Sequence, residues 1–249
     1  EQIIHGPINQ SNKKNMLQKI AVPACQSCYI LEENTNSFDI ISDRVYYLRE
    51  LRDLNLSVYD DVNSFHLTTV DLRWTNLCNF ACVYCIPQFS SKWADELKVT
   101  ISQPSEHRIT EMKQYVFDHA SQLKQVYLAG GEPLLMKENL ELLELLKKTN
   151  PTVNLRINTN LSKVDTRVFE SVCEFPNVHW TVSVETIEQE YEYIRYGGKW
   201  QDFNDNLEII RKLDHKISFN MLYFLLNFKS LFDCVDYFKS KGFHNNSFI

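Results

Sequence analysis

From about residue 65 onward, short apolar runs alternate with longer stretches whose apolar residues recur at helical spacing. Val70, Leu72 and Trp74 occupy every second position, which predicts a strand. Four more short apolar runs predict strands at residues 125–129, 153–157, 178–184 and 217–224. Helical spacing predicts the intervening helices at residues 109–123, 140–150, 165–173, 187–195, 203–213 and 230–241.

This alternation of strand and helix predicts an α/β fold, with a parallel sheet and helices packed outside it. Five strands, followed by a sixth that begins near Gly242-Phe243-His244, predict a partial (β/α)6 barrel related to the TIM barrel. The chain starts at Glu1 rather than Met and stops at Ile249, just after this sixth strand begins. We therefore interpret the barrel as truncated at its C-terminal end, in a fragment or an unusually short family member.

Residues 1–64 have a different pattern and are predicted to form an N-terminal extension, with residues 65–249 forming the core domain. Residues 1–19 are polar, and we expect them to be mobile. A Cys-x2-Cys segment at Cys25 and Cys28 follows, and then a helical region. Two thiolates cannot complete a zinc site or a cluster site. The role of this pair stays open between a structural or vestigial one and a metal site with further ligands.

Charge and composition exclude several classes of protein. The net charge of −6 and the lack of a basic stripe do not favour nucleic-acid binding. The longest apolar runs, such as residues 221–226, are too short to cross a bilayer, so no membrane association is predicted. Seven cysteines, an odd number, in a sequence without a visible signal peptide predict reduced thiols in the cytoplasm.

Three of these cysteines, Cys78, Cys82 and Cys85, form a C-x3-C-x2-C run just after the first predicted strand. Three closely spaced thiolates suit a [4Fe–4S] cluster with one iron left open to a small molecule. The alternatives are a zinc knuckle and a chance grouping. A closed zinc site needs four ligands, and no fourth lies near in the sequence.

Polar motifs also follow the next three predicted strands. They are Gly130-Gly131-Glu132-Pro133, Asn158-Thr159-Asn160, and Ser183 with Glu185. In a barrel of this kind the site forms at the C-terminal ends of the strands. The four segments are therefore predicted to converge on one face of the sheet.

Together, residues 71–85, the segment Ser90-Ser91-Lys92-Trp93 and residues 128–133 resemble the radical S-adenosylmethionine (radical SAM) superfamily. Within it the chain is most similar to the twitch domain-containing proteins. These are related to the peptide- and protein-modifying branch that includes the anaerobic sulfatase-maturating enzymes. The resemblance covers about residues 68–249, with a weaker similarity between Cys25 and Arg44.

The resemblance implies an enzyme with two cofactors, a [4Fe–4S] cluster and S-adenosylmethionine (SAM). Such enzymes cleave SAM reductively to a 5′-deoxyadenosyl radical, which implies an electron donor of the flavodoxin or ferredoxin type. The implied substrate is a peptide or protein. The alternatives are a small-molecule radical SAM enzyme, such as the carboxy-deazaguanine synthases, and a non-catalytic fragment that binds iron–sulfur or another metal.

The resemblance also assigns roles to single residues. The three cysteines would hold the cluster, and Tyr84 would lie against the adenine of SAM. Gly130 and Gly131, before Pro133, would let the backbone pass close to SAM, where a Cβ would clash. Glu132 would accept a hydrogen bond from the SAM ammonium group.

Two further segments carry implied roles and depart from the family pattern. Ser183 and Arg195 would hold the SAM carboxylate, since a guanidinium pairs well with a carboxylate. Glu185, which stands in place of the Asp of the family's usual Ser-x-Asp-Gly, would also contact the cofactor, and Thr186 stands in place of the Gly. Asn160 would lie near the ribose or cap a turn, and Leu161 stands where the family usually has Gly.

Overall fold

The computed structural model describes residues 6–34, 42–53, 66–102 and 104–248. They fall into two compact units that divide between His66 and Leu67. The first unit contains helices α1 (Pro7–Leu17), α2 (Gln26–Asn34) and α3 (Asp43–Asp53). Helix α1 lies in the polar stretch where no helix was predicted. It begins at Pro7, whose fixed φ suits the first helical position, and it buries no side chain.

The second unit is built on a parallel sheet with strand order β1-β2-β3-β4-β5. Its strands are β1 (Thr69–Leu72), β2 (Gln125–Leu128), β3 (Asn154–Thr159), β4 (Val178–Ser183) and β5 (Lys216–Asn220). Its helices are α4 (Ser91–Leu97), α5 (Glu106–Asp118), α6 (Lys137–Thr149), α7 (Arg167–Cys173), α8 (Glu188–Ile194), α9 (Trp200–Ile210) and α10 (Leu231–Ser240). The predicted α/β fold with five parallel strands is confirmed.

One apolar core joins the strands to the helices that follow them. Leu155 and Ile157 alternate along β3 and are buried, as the period of two requires. Leu142, Leu143 and Leu146 form the buried stripe of α6. The core therefore lies between the sheet and the helices that pack on it.

The structure also departs from the sequence prediction in a strand end, an extra helix and the predicted sixth strand. Strand β5 ends at Asn220 rather than at residue 224, and Leu222, Tyr223, Leu225 and Leu226 are exposed in the loop that follows. Helix α4 was not predicted. The sixth strand was placed too early, because a 3-10 helix (Asn245–Ser247) follows Gly242, and Phe248 alone forms a parallel bridge, with Phe219.

In the described part of the chain, no helix has both the length and the apolar character needed to cross a bilayer.

Candidate functional site

The three cysteines lie on the segment that connects β1 to α4, here called the cysteine loop (residues 73–90). Residues of the Ser-Ser-Lys-Trp motif hold it from one side. Ser90 Oγ donates to the Phe80 carbonyl at 2.6 Å, and Ser91 Oγ both donates to the Cys78 carbonyl and accepts from its N–H, at 3.1 Å. Trp93 Nε1 donates to the Cys82 carbonyl at 2.7 Å. These bonds satisfy backbone groups that a loop of this length would otherwise leave to water.

The cysteine loop is also fastened to the segment after α8. The N–H groups of Ala81 and Val83 donate to the carbonyls of Tyr196 and Ile194, at 2.8 and 2.9 Å. Gly198 makes the approach possible, because a Cβ there would lie 2.9 Å from the Phe80 ring. The backbone of the cysteine loop is therefore held before any cofactor binds.

All three cysteines are free thiols; Cys82 is buried, and Cys78 and Cys85 are half-buried. Burial raises the pKa of each thiol, that of Cys78 to about 12, so binding of iron would displace protons. Among the described residues, no three His, Cys, Asp or Glu side chains converge on a single metal ion. The thiolates of a cluster bind different irons, and three free thiols on one fixed loop fit that ligand set.

The glycine pair after β2 packs against the cysteine loop. A Cβ on Gly131 would lie 2.2 Å from the Leu77 carbonyl oxygen, and the next N–H, of Glu132, donates to that oxygen at 2.7 Å. Gly130 has φ +114°, and a Cβ there would lie 3.2 Å from the Thr75 oxygen. The resemblance implied that these glycines make room for SAM. In the structure, the backbone of the cysteine loop already leaves no room for a Cβ at Gly131.

Glu132 lies at the centre of a buried network between β2 and β3. Its carboxylate accepts from Thr159 Oγ1 and from the N–H groups of Asn160 and Leu134, at 2.7, 2.7 and 3.1 Å. Burial raises its pKa to about 7, although these hydrogen bonds act in the opposite direction. The side chain is fully buried, and its hydrogen bonds to Thr159 and Asn160 join the segment after β2 to the end of β3.

Asn160 links this network to the cysteine loop. Its Nδ2 donates to Asn79 Oδ1 at 3.1 Å, and Asn79 Nδ2 donates to Ser162 Oγ at 2.9 Å. The next residue, Leu161, has φ +55°, a left-handed conformation that favours glycine. The family's glycine is therefore missing in sequence, but the backbone conformation that it serves is present.

A second buried carboxylate, Glu185, follows β4. Arg195 binds it through two hydrogen bonds, Nε to Oε2 at 2.7 Å and Nη2 to Oε1 at 2.8 Å, and both side chains are at most 4% exposed. Tyr84 Oη donates to the same Oε1 at 2.9 Å. Burial lowers the pKa of Arg195, but the opposing effects of its neighbours, with the Glu185 charge first among them, together hold that pKa well above its ordinary value. The structure thus brings Tyr84, Glu185 and Arg195 together.

The remaining predicted residues lie nearby but have other partners. Ser183 Oγ donates to Asn158 Oδ1 at 3.3 Å, which joins the ends of β3 and β4. The Pro133 carbonyl accepts from Asn139 Nδ2, and Asn139 Oδ1 accepts from Trp74 Nε1, at 2.8 and 2.7 Å. Pro133 therefore helps to fix the start of α6 against the end of β1.

Sequence reasoning missed Gly198 and Asn227. Asn227 is fully buried, and its Nδ2 donates to the Glu185 carbonyl at 3.1 Å. A signal existed for the glycine: four of the six glycines form the pairs 130–131 and 197–198, and each pair contacts the cysteine loop. Asn227 had no such signal, because a lone Asn in an apolar run resembles any turn residue.

Comparison with known proteins gives matches to enzymes of one superfamily. A 28% identical match over 164 residues, covering 64% of this chain and 46% of the relative, is to a GTP 3′,8-cyclase from Lactiplantibacillus plantarum. A 26% identical match over 163 residues, covering 66% of this chain and 37% of the relative, is to the sporulation killing factor maturation protein SkfB of Bacillus subtilis. The chain thus spans less than half of either relative.

Among solved structures, SuiB of Streptococcus suis bound to S-adenosylmethionine aligns with a TM-score of 0.50 and 14% identity. The alignment covers 95% of this chain and 49% of SuiB, and it supports the fold. The model of the radical SAM superfamily, whose enzymes use a [4Fe–4S] cluster and SAM, matches residues 72–238, about two thirds of the sequence. The chain therefore belongs to the radical SAM superfamily.

Proposed function

We propose that this chain is a radical SAM enzyme whose cluster is held by Cys78, Cys82 and Cys85. The observation that carries the proposal is three free thiols on one loop whose backbone is fastened on both sides. When bound, the [4Fe–4S] cluster and SAM would supply reductive cleavage of SAM to a 5′-deoxyadenosyl radical. The protein's own contribution is to hold the loop still, since a preorganised site avoids reorganisation during the reaction.

We further propose that SAM binds along the ends of β2, β3 and β4, beside the cysteine loop. The candidate contacts are Tyr84, Gly130, Gly131, Pro133, Asn160 and Ser183. Support comes from their position at the C-terminal ends of parallel strands, where ligands bind in barrels of this type. The network around Glu132 ties β2 to β3 and, through Asn160, to the cysteine loop, so it fixes the spacing of these contacts.

For the substrate we propose a peptide or protein, as in the twitch-containing, sulfatase-maturase-like branch, with a flavodoxin- or ferredoxin-like electron donor in the cytoplasm. SkfB is a maturation protein, and SuiB has been solved with its precursor peptide SuiA. The second candidate is a small-molecule reaction, which the similarity to GTP 3′,8-cyclase favours.

Anaerobic reconstitution tests the first proposal. We expect about four irons and four sulfides per chain, a paramagnetic signal on reduction, and 5′-deoxyadenosine when SAM and dithionite are added. Cys78→Ala and Cys82→Ala should prevent full cluster assembly, whereas the matched control Cys173→Ala should not. A full cluster in Cys78→Ala would overturn the ligand assignment. Zinc in place of iron, or no 5′-deoxyadenosine above the Cys82→Ala level, would overturn the enzyme assignment.

A further inference from the structure

We propose that Glu185 is a positioning residue, which fixes Tyr84 and the cysteine loop, and that Arg195 serves as its buried counter-ion rather than as a ligand of SAM. This inference rests on the proposed function in so far as the positioned loop is the one that binds the cofactors. It assigns a role to the position where the sequence departs from the family's Ser-x-Asp-Gly pattern.

The Glu185 carboxylate accepts three hydrogen bonds from two side chains. Oε1 accepts from both Tyr84 Oη and Arg195 Nη2, and Oε2 accepts from Arg195 Nε. A buried charge is tolerated when it is paired and hydrogen-bonded, and here both conditions hold.

Arg195 already has a carboxylate partner in Glu185. Its planar fork binds Glu185 in the two-bond geometry that guanidinium and carboxylate prefer. Its Cζ also lies 5.9 Å from the centroid of the Tyr84 ring, within the range of a cation–π contact. If Arg195 turned this Nε–Nη2 edge to a SAM carboxylate instead, Glu185 would be left charged and buried without its partner, which is costly.

Three other segments of the chain meet at Glu185, which follows β4. Tyr84 of the cysteine loop and Arg195 at the end of α8 both donate hydrogen bonds to the Glu185 carboxylate. The loop after β5 arrives through Asn227, which donates to the Glu185 carbonyl, and through Phe224, whose ring packs edge-on against Tyr84 at 5.5 Å. A single carboxylate on the end of β4 therefore holds the orientation of the tyrosine next to Cys85.

Two paired variants separate positioning from ligand binding. Glu185→Gln with Arg195→Gln removes both charges together and keeps an acceptor for the Tyr84 hydroxyl. Glu185→Ala with Arg195→Ala removes the charges and that acceptor. Neither variant leaves a lone buried charge, which is the usual reason for collapse when a single partner is removed. The matched control is Glu192→Gln with Lys199→Gln, an exposed ion pair in the same region.

Amide hydrogen exchange on the metal-free protein is the first readout. The N–H groups of Ala81 and Val83 bond to the carbonyls on either side of Arg195, so they report directly on the fastening of the loop. We expect at least about tenfold faster exchange of these two amides in the Ala pair, and less than about threefold in the Gln pair and the control. Unchanged exchange in the Ala pair would overturn the proposal.

Calorimetric SAM affinity of the reconstituted protein is the second readout. We expect the Gln pair to bind SAM within about threefold of wild type and the Ala pair to bind at least about tenfold more weakly, at equal iron content. Equal losses in both pairs would overturn the proposal and make Arg195 a SAM ligand.

If the Ala pair does not fold, Tyr84→Phe replaces it, with Tyr193→Phe on exposed Tyr193 as its control. Exchange of Ala81 and Val83 in Tyr84→Phe at the control's rate would then overturn the proposal. If wild type binds neither cluster nor SAM, the proposed function fails, while the exchange data still decide the positioning role.

Discussion

Each side of the cysteine loop has a buried carboxylate, and the two carboxylates have different kinds of partner. On the β2 side, Gly131 brings backbone against backbone, and the buried carboxylate of Glu132 is satisfied by neutral donors. On the β4 side, backbone hydrogen bonds of Ala81 and Val83 also hold the loop, Gly198 packs against the Phe80 ring, and the buried carboxylate of Glu185 is paired with the charge of Arg195. Both carboxylates follow a strand and are almost completely buried, so position and burial alone do not determine their role.

The difference shows that the partner of a buried carboxylate decides its behaviour. Neutral donors do not fully offset the burial of Glu132, and its pKa rises to about 7. On the β4 side, burial lowers the pKa of Arg195, but its neighbours, with the Glu185 charge first among them, hold that pKa well above its ordinary value. On the β2 side we therefore expect stability to depend on pH and on added side-chain volume. On the β4 side we expect it to depend on keeping both members of the buried ion pair.

The largest effect is expected for Gly131→Ala. Its Cβ would meet the Leu77 carbonyl oxygen at 2.2 Å, and a backbone atom cannot move away without moving the cysteine loop. We expect at least about 4 kcal/mol loss of unfolding free energy in urea, with loss of iron uptake. Gly242→Ala is the control, since it has a positive φ but no atom within 4 Å, and should cost about 1 kcal/mol. Equal costs would contradict the contact.

Arg195→Ala should follow closely. It leaves the Glu185 carboxylate buried without its counter-ion, and breaking such a pair costs about 3–5 kcal/mol. Urea unfolding of the metal-free protein measures it. The control is Lys199→Ala, which removes the exposed ion pair with Glu192 and should change stability little, because surface ion pairs contribute little. A small loss in Arg195→Ala would mean that Glu185 is not a buried charge.

The pH dependence of stability tests the β2 side. Because the pKa of Glu132 in the folded protein lies near 7, above its usual 4.5, the folded protein binds this proton more tightly than the unfolded chain does. The resulting stabilisation is complete below about pH 4.5 and is lost as the pH rises through about 7.

The loss is on the order of 3 kcal/mol. It should be seen as a difference between wild type and Glu132→Gln in urea unfolding from pH 4.5 to pH 8, since the amide does not titrate. Parallel pH profiles for the two proteins would rule out the raised pKa.

The smallest effect is expected for Gly198→Ala. Its Cβ would lie 2.9 Å from Phe80 Cζ and 3.0 Å from Tyr191 Cε1, which are side-chain atoms that can shift. The backbone oxygen of Arg195 would lie 3.1 Å away, much less close than the 2.2 Å contact at Gly131. Overpacking of this kind costs about 1–3 kcal/mol, less than at Gly131. The double variant Gly198→Ala with Phe80→Leu should recover part of the loss in thermal unfolding. A cost as large as that of Gly131→Ala would remove the distinction between the two sides.

Local sequence determined the architecture and the ligand motif of this protein. The short apolar runs between helical stretches predicted the five strands and their parallel direction, since a strand–helix–strand unit starts its second strand at the same end of the sheet. The spacing of Cys78, Cys82 and Cys85 indicated the proposed cluster ligands, because three thiolates on one short loop can reach one cluster. Residues 221–224 misled the prediction, since an apolar run reads the same in a strand and in an exposed loop.

Only the tertiary structure decided what the buried polar residues contact. Glu185 and Arg195 are ten positions apart and Tyr84 lies on a different segment, so no local pattern could show that they form one cluster. The need for Gly131 comes from Leu77, which is more than fifty residues earlier in the chain. The sequence shows which hydrogen-bond donors and acceptors are present. Which of them pair in the interior depends on the strand ends that the fold brings together, and this pairing determines the free-energy cost of burying each charge.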